Sequence, residues 1–126
     1  MWSPVTLEEF ESMVDDAIDQ IPAPFAERLH TVAIVVEDEP LPEQVPPGRL
    51  LLGLYTGVPR TAYGVDNSAV PSKIAIFRGP LQRSYPDRAE LAAAVEATVF
   101  HEVAHHFGIS DDRLRELQSP RARPSA

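Results

Sequence analysis

The sequence of 126 residues predicts an α+β domain, with helices towards both ends and three short strands between them. Near both ends, apolar residues recur every three or four positions, as in a helix that buries one face. The middle of the chain holds three short segments rich in β-branched residues and separated by proline and glycine, which is typical of strands. We expect residues 1–118 to form one domain and residues 119–126 to be a flexible tail.

The first helix is expected to run from Leu7 to about Gln20. Thr6 and Glu9 match the capping-box pattern that begins a helix, and the proline-rich residues 21–24 end it. Acidic residues fill the opposite face, which is most simply a solvated surface. The apolar positions at helical spacing are Leu7, Phe10, Val14, Ala17, Ile18 and Ile21.

Three strands are expected, over residues 31–36, 50–55 and 73–78. Between the first two lies a proline-rich loop at residues 40–47, part of it predicted as polyproline II. Residues 56–72 contain glycine, proline, asparagine and serine and are expected to form a long irregular loop. Loops of that length in small domains are more often functional than idle.

The next helix is expected to begin after Asp87, a favourable N-cap with Glu90 three positions later. It should end at Gly108, which can adopt the left-handed conformation. Because residues 95–107 are apolar on nearly all sides, we expect this helix to be buried. Residues 111–118 are predicted to form a short final helix.

Composition excludes several classes of protein. The chain has no cysteine, so disulfide scaffolds, thiolate metal sites and cysteine nucleophiles are ruled out. The net charge is −8, and 11 of the 19 acidic residues precede residue 44, where Arg28 is the one base. We therefore expect neither nucleic acid nor a membrane as a partner. The first residues do not resemble a secretory leader, so a cytoplasmic location is expected.

One motif in the buried helix carries chemistry. His101 and His105 are four residues apart, so both imidazoles project from one helical face and can bind the same metal ion. Glu102 is rotated by about 100° and can reach a water on that ion without being a ligand. Gly108 allows a sharp turn, and Asp111 then supplies an oxygen ligand. Three protein ligands with an open fourth position are typical of catalytic zinc.

In such a site, zinc lowers the pKa of its bound water to about 7, and Glu102 takes the proton as the water attacks a carbonyl. Tyr63, Tyr85 and His106 are candidates for a second oxyanion donor, although each is more simply explained by packing. Asp112 is expected to serve the N-terminus of the last helix instead of the metal. Cobalt, nickel or iron would also fit two nitrogens and one oxygen.

Residues 52–59 (LGLYTGVP), 76–81 (IFRGPL) and 105–109 (HHFGI) resemble the small bacterial mini-zincin family of metallopeptidases, over about residues 30–118. This resemblance implies a minimal zincin-like fold with a three- or four-stranded mixed sheet beside the active-site helix. It also implies one zinc ion held by His101, His105 and Asp111, with Glu102 as general base. No methionine is present in residues 112–126, so we do not expect the Met-turn of larger metzincins.

The resemblance implies a zinc metallopeptidase whose partners are peptides or unfolded proteins. In zincins an edge strand adds an extended substrate to the sheet, and the strand at residues 74–77 is expected to fill this role. Two alternatives use the same residues. One is a zinc-binding domain that no longer turns over and acts through its acidic first helix and proline-rich loop. The other is a zinc hydrolase of non-peptide amides.

Overall fold

A computed structural model describes residues 5–29, 32–57 and 72–109. It begins with helix α1, Leu7–Asp19. The Thr6 hydroxyl accepts a hydrogen bond from the Glu9 amide (3.1 Å), and the Glu9 carboxylate accepts one from the Thr6 amide (2.9 Å). The predicted capping box is therefore confirmed. The proline-rich segment that ends α1 then forms one further helical turn, α2, Ala23–Ala26.

The described residues contain a three-stranded mixed sheet in the order β1-β3-β2. Its strands are β1, Val32–Glu37, β2, Gly53–Thr56, and β3, Ser72–Phe77. The central strand β3 pairs parallel with β1 and antiparallel with β2. The expected α+β class and mixed sheet are confirmed. The second strand begins three residues later than predicted, and the proline-rich loop contains a 3-10 turn, Pro42–Gln44.

Helix α3, Arg78–Ser84, begins directly after β3 and was not predicted. Gly79 and Pro80 directly after a strand usually indicate a turn. A proline is nevertheless compatible with the first turn of a helix, because backbone N–H groups there make no hydrogen bond within the helix. Ion pairs hold α3 to the segment that follows β1. These are Arg78–Asp38 at 3.0 Å and Arg83–Glu39 at 2.6 Å.

The longest helix in the described residues, α4, runs over Arg88–His106. It packs against α1 and against β2 and β3. The expectation that this helix is buried holds for its core-facing side, where Val95, Val99 and Val103 are buried, whereas Ala92, Ala93 and Ala97 are exposed. Alanine is apolar but small, so it favours a helix without requiring burial. One side of α4 faces the core and another faces solvent.

The hydrophobic core lies between one face of the sheet and the two long helices. Ile74 and Ile76 of β3 point to this side, since alternate residues of a strand share a face. Leu7, expected in the core, is 45% exposed at the start of α1. No helix in residues 5–29, 32–57 or 72–109 is long and apolar enough to cross a membrane. The core residues contributed by the helices include Phe10, Val14, Ala17, Leu81, Leu91, Val95, Val99 and Val103.

Candidate metal centre

The candidate centre lies on the last two turns of α4, which is capped at both ends as predicted. Asp87 accepts a hydrogen bond from the Glu90 amide at 3.0 Å, and Gly108 closes the helix with a φ of 75°. His101 and His105 are one turn apart, and their ring centroids are 4.5 Å apart. The helix therefore brings both imidazoles to one face, as their spacing requires.

Glu102 lies beside the two imidazoles but is far less accessible. The residue is 6% exposed, whereas the side chain of His105 is 32% exposed. One carboxylate oxygen of Glu102, Oε1, is 3.3 Å from Nδ1 of His105. Possible ligand atoms of His101, Glu102 and His105 all lie within 4.8 Å of one another. Two nitrogens and an oxygen thus converge on one small volume.

Burial raises the pKa of the Glu102 carboxyl above its ordinary value, because the charged form is poorly solvated there. The neighbouring imidazoles of His105 and His101 oppose this effect, as does hydrogen bonding from His105 and from the backbone N–H of Tyr55. The net direction is upward. A carboxyl group whose pKa is raised is better suited to accept a proton and later return it than an ordinary surface glutamate.

His101 and Glu102 line an open groove of about 370 Å³ between α4 and the segment that leads into β2. Leucines at residues 50–52 form one wall, and Leu50 is 60% exposed. Tyr85 also lines the groove. The groove is therefore largely apolar away from the motif. The residues that α4 contributes to it are Ala94, Ala97, Thr98, His101 and Glu102.

The structure places some of the other predicted site residues near the motif, and others lie outside the described residues. Asp111, the predicted third ligand, lies outside the described residues, as do Asp112 and Tyr63. Tyr85 lines the same groove as His101 and Glu102, so it is the oxyanion candidate that the described structure brings to the site. His106 is 1% exposed, and its Nδ1 is 3.2 Å from the hydroxyl of Tyr55. It is a buried, hydrogen-bonded histidine, as expected from its helical position.

The expectation that residues 74–77 form a substrate-binding edge is wrong, because β3 is the central strand and pairs on both sides. The strand beside the motif is β2. The Phe77 amide donates to the Leu52 carbonyl at 2.9 Å. Because hydrogen-bonded and non-hydrogen-bonded pairs alternate in an antiparallel ladder, the backbone groups of Gly53 and Tyr55 point away from β3.

Two residues that help to build the site were not predicted. Gly53 is buried in β2, and Thr98 is 8% exposed on α4, one turn before Glu102. Thr98 donates a hydrogen bond from its hydroxyl to the carbonyl of Ala94 at 2.8 Å. A glycine inside a strand often marks a close approach of another chain segment, and this signal was available in the sequence.

The fold and the cluster of His101, Glu102 and His105 together are those of a zincin-like protein. The family model described as zincin-like metallopeptidase matches residues 29–120, and the chain belongs to that family. Among curated proteins, no sequence matches the chain. A solved structure with a similar fold is that of a conserved hypothetical protein from Thermo thermophilus. It is 24% identical, with a TM-score of 0.56, and the alignment covers 82% of this chain and 94% of that one.

The donor set fits the metal that this family implies. Imidazole nitrogen and carboxylate oxygen are common ligands of zinc, with bonds of about 2.0–2.2 Å. In a tetrahedral site with such bonds, ligand atoms are roughly 3.4 Å apart. The possible ligand atoms of the cluster lie within 4.8 Å of one another, close enough for His101 and His105 to offer both nitrogens to one ion. The described cluster thus fits a zinc ion.

Proposed function

We propose that the protein is a zinc-dependent metallopeptidase that hydrolyses peptide bonds. His101, His105 and Asp111 would hold one zinc ion, and Glu102 would act as general base. The observation that carries this proposal is the convergence of two imidazoles and a buried carboxyl group at an apolar groove. Membership of the zincin-like family supports the same chemistry.

When bound, zinc supplies Lewis acidity that polarises a water molecule and a substrate carbonyl. The roles of the protein side chains follow from their placement. Glu102 accepts the proton of the attacking water, since burial has raised its affinity for a proton. The same carboxyl group then donates that proton to the leaving amine, which completes one proton cycle. Tyr85, in the same groove, is the proposed donor to the developing oxyanion.

The groove suggests how a peptide would lie. The Tyr55 N–H is bonded to Glu102, but the backbone groups of Gly53 and the carbonyl of Tyr55 also point away from β3, so an extended peptide can add to β2 by main-chain hydrogen bonds to them. This replaces the earlier expectation for β3. The leucines at residues 50–52 provide apolar surface beside the reacting bond. We propose short peptides and unfolded proteins as substrates, because folded proteins rarely present an extended segment.

The test uses the untagged full chain, since a histidine tag would bind zinc itself. Native mass spectrometry of wild type should show one zinc per chain, and Asp111→Ala should lose it or bind it far more weakly. A peptide library is then incubated with the zinc-loaded protein and analysed by mass spectrometry. Cleavage should disappear in Glu102→Gln, which still binds zinc. It should persist in Glu96→Gln, a change of the same chemistry at an exposed position of α4.

Each outcome has a distinct meaning. Hydrolysis that survives Glu102→Gln would refute the general-base mechanism. One zinc per chain with no cleavage of any peptide would support a binding domain that no longer turns over. No zinc in a zinc-buffered solution would mean that the histidines have a packing role, and the proposal would be wrong.

A further inference from the structure

The strand β2 approaches α4 so closely at Gly53 that a side chain does not fit there. A Cβ atom at this position would lie 2.8 Å from Cγ2 of Thr98 and 3.2 Å from Cγ of Glu102. It would also lie 3.2 Å from the carbonyl oxygen of Ala75. Carbon atoms in good contact are about 3.5–4.0 Å apart. Glycine is therefore required here by space.

We propose that Gly53 is a positioning residue for Glu102: its bare backbone lets β2 seat against α4 and hold the Glu102 side chain beside the histidines. The proposal rests on the general-base role proposed above. A Cβ at position 53 would meet Thr98 and Glu102, whereas no atom of His101 or His105 is among its three nearest neighbours. The residue thus acts on the base separately from the histidine ligands.

The contact is held from both sides. On α4, the hydroxyl of Thr98 is bonded to the carbonyl of Ala94 at 2.8 Å. This bond fixes the rotamer, since a threonine side chain rotates about χ1 as one unit, and it leaves Cγ2 towards Gly53. On β2, Tyr55 shares the face of Gly53 because alternate residues of a strand point the same way. Its hydroxyl is 3.2 Å from Nδ1 of the buried His106.

Two anchors therefore set the distance between strand and helix along the motif. One is the Gly53–Thr98 contact, and the other is the Tyr55–His106 hydrogen bond near the end of α4. A methyl group at position 53 cannot be absorbed by a swing of β2 as a whole while the second anchor holds. The tightest clash is with Cγ2 of Thr98 at 2.8 Å, so the added methyl group should push β2 and α4 apart locally and displace the Glu102 side chain, whose Cγ would be 3.2 Å from the methyl carbon. A displacement of about 1 Å at a reacting group can reduce its effect about 100-fold.

The experiment uses the zinc-loaded full chain and acetohydroxamic acid, which binds zinc as the acetohydroxamate anion after its hydroxyl proton passes to a base in the site. Its affinity reports whether a carboxylate is placed to take that proton, and it requires no substrate. Isothermal titration calorimetry should show that Gly53→Ala binds acetohydroxamate about tenfold more weakly than wild type. This is less than the roughly 100-fold effect of a full 1 Å displacement of the reacting group. Glu102→Gln gives the value for a site without the base. The zinc Kd of Gly53→Ala should stay within about twofold of wild type, since the ligands are untouched.

A second change tests the mechanism by rescue. Thr98→Ser removes Cγ2 but keeps the hydroxyl that bonds to Ala94. Because Thr98 lines the groove, Thr98→Ser alone supplies the reference affinity, and the double variant Gly53→Ala/Thr98→Ser should bind acetohydroxamate within about threefold of that reference. Gly79→Ala is the matched control, because a Cβ there would meet Glu39 and the Asp38 carbonyl, away from the motif. It should lower stability without changing acetohydroxamate affinity.

If Gly53→Ala binds acetohydroxamate as tightly as wild type does, the proposal is wrong. It is also wrong if the variant loses as much affinity for zinc as it loses for acetohydroxamate. A loss that Thr98→Ser does not relieve would also overturn it. These outcomes are separate from those of the peptidase test. If no peptide is cleaved but the acetohydroxamate pattern holds, the positioning role stands and the peptidase proposal fails. If peptides are cleaved but Gly53→Ala does not weaken acetohydroxamate binding, the peptidase proposal stands and the positioning role of Gly53 fails.

Discussion

Replacing Glu102 by glutamine should remove activity while stabilising the metal-free protein. The residue is 6% exposed, and burial is the largest cause of its raised pKa. Glutamine has nearly the same shape but no proton to exchange and no charge to bury. Loss of a general base typically reduces the rate by about 10²–10⁴-fold, or about 3–5 kcal/mol of transition-state free energy. Zinc should stay bound, since the histidines are unchanged.

The effect on stability depends on pH in a defined direction. The pKa of Glu102 is raised in the folded state, so folding favours the protonated carboxyl. The stability that this gives to wild type is fully present below the ordinary carboxyl pKa of about 4.5, and it is lost as pH rises through the raised value. The glutamine variant should therefore exceed wild type most at pH 8.

The assay is urea unfolding of the metal-free proteins, followed by circular dichroism between pH 4 and pH 8. Each unit of pKa difference between folded and unfolded states corresponds to about 1.4 kcal/mol at high pH, so the midpoint shift measures the perturbation directly. Glu96→Gln, at an exposed site on the same helix, should show no such trend. A glutamine variant that is less stable than wild type at pH 8 would refute the argument from burial.

Three further changes test the groove, the helix cap and the core. Ala97→Phe should fill the groove and abolish binding of peptides with large apolar side chains while zinc binding persists, whereas Ala92→Phe, on the exposed side of α4, should not; equal effects would contradict the groove assignment. Thr6→Ala should lower the free energy of unfolding by about 1 kcal/mol in urea titrations, and Thr6→Ser should retain most of it. Phe10→Ala, at 0% exposure, should cost about 3–5 kcal/mol, and the half-exposed Leu7→Ala far less.

The helix ends were predictable because their signals are local. Thr6 with Glu9 and Asp87 with Glu90 begin the two long helices through side-chain bonds to amides three residues ahead. Gly108 ends the second through a backbone conformation that favours glycine. Such contacts depend on the residue types at fixed short spacing, so the sequence contains the information. The spacing of the histidines on one helical face is local in the same sense.

The features that could not be predicted from the sequence depend on contacts between residues far apart in the chain. The order of the strands places β3 in the centre, although a strand of the same composition would serve equally well at an edge. Helix α3 was not predicted because Gly79 and Pro80 are residues that usually end a strand and begin a turn. The ion pairs that hold this helix are made with Asp38 and Glu39, which are distant in the sequence. The Gly53–Thr98 contact joins residues that no local pattern connects.

The strand order also has a consequence for biosynthesis. Val32 of β1 pairs with Ser72 of β3, and the first long helix packs on the last described one. As the chain leaves the ribosome, β1 emerges well before β3, the strand with which it pairs. The apolar side chains of Phe10 and Val14 on α1 stay exposed until α4 has been synthesised and can pack against them. Such non-local pairing slows folding and leaves apolar surface exposed meanwhile. Nascent chains that stop before Leu91 should therefore bind chaperones, and folding should be completed only after the motif helix has been made.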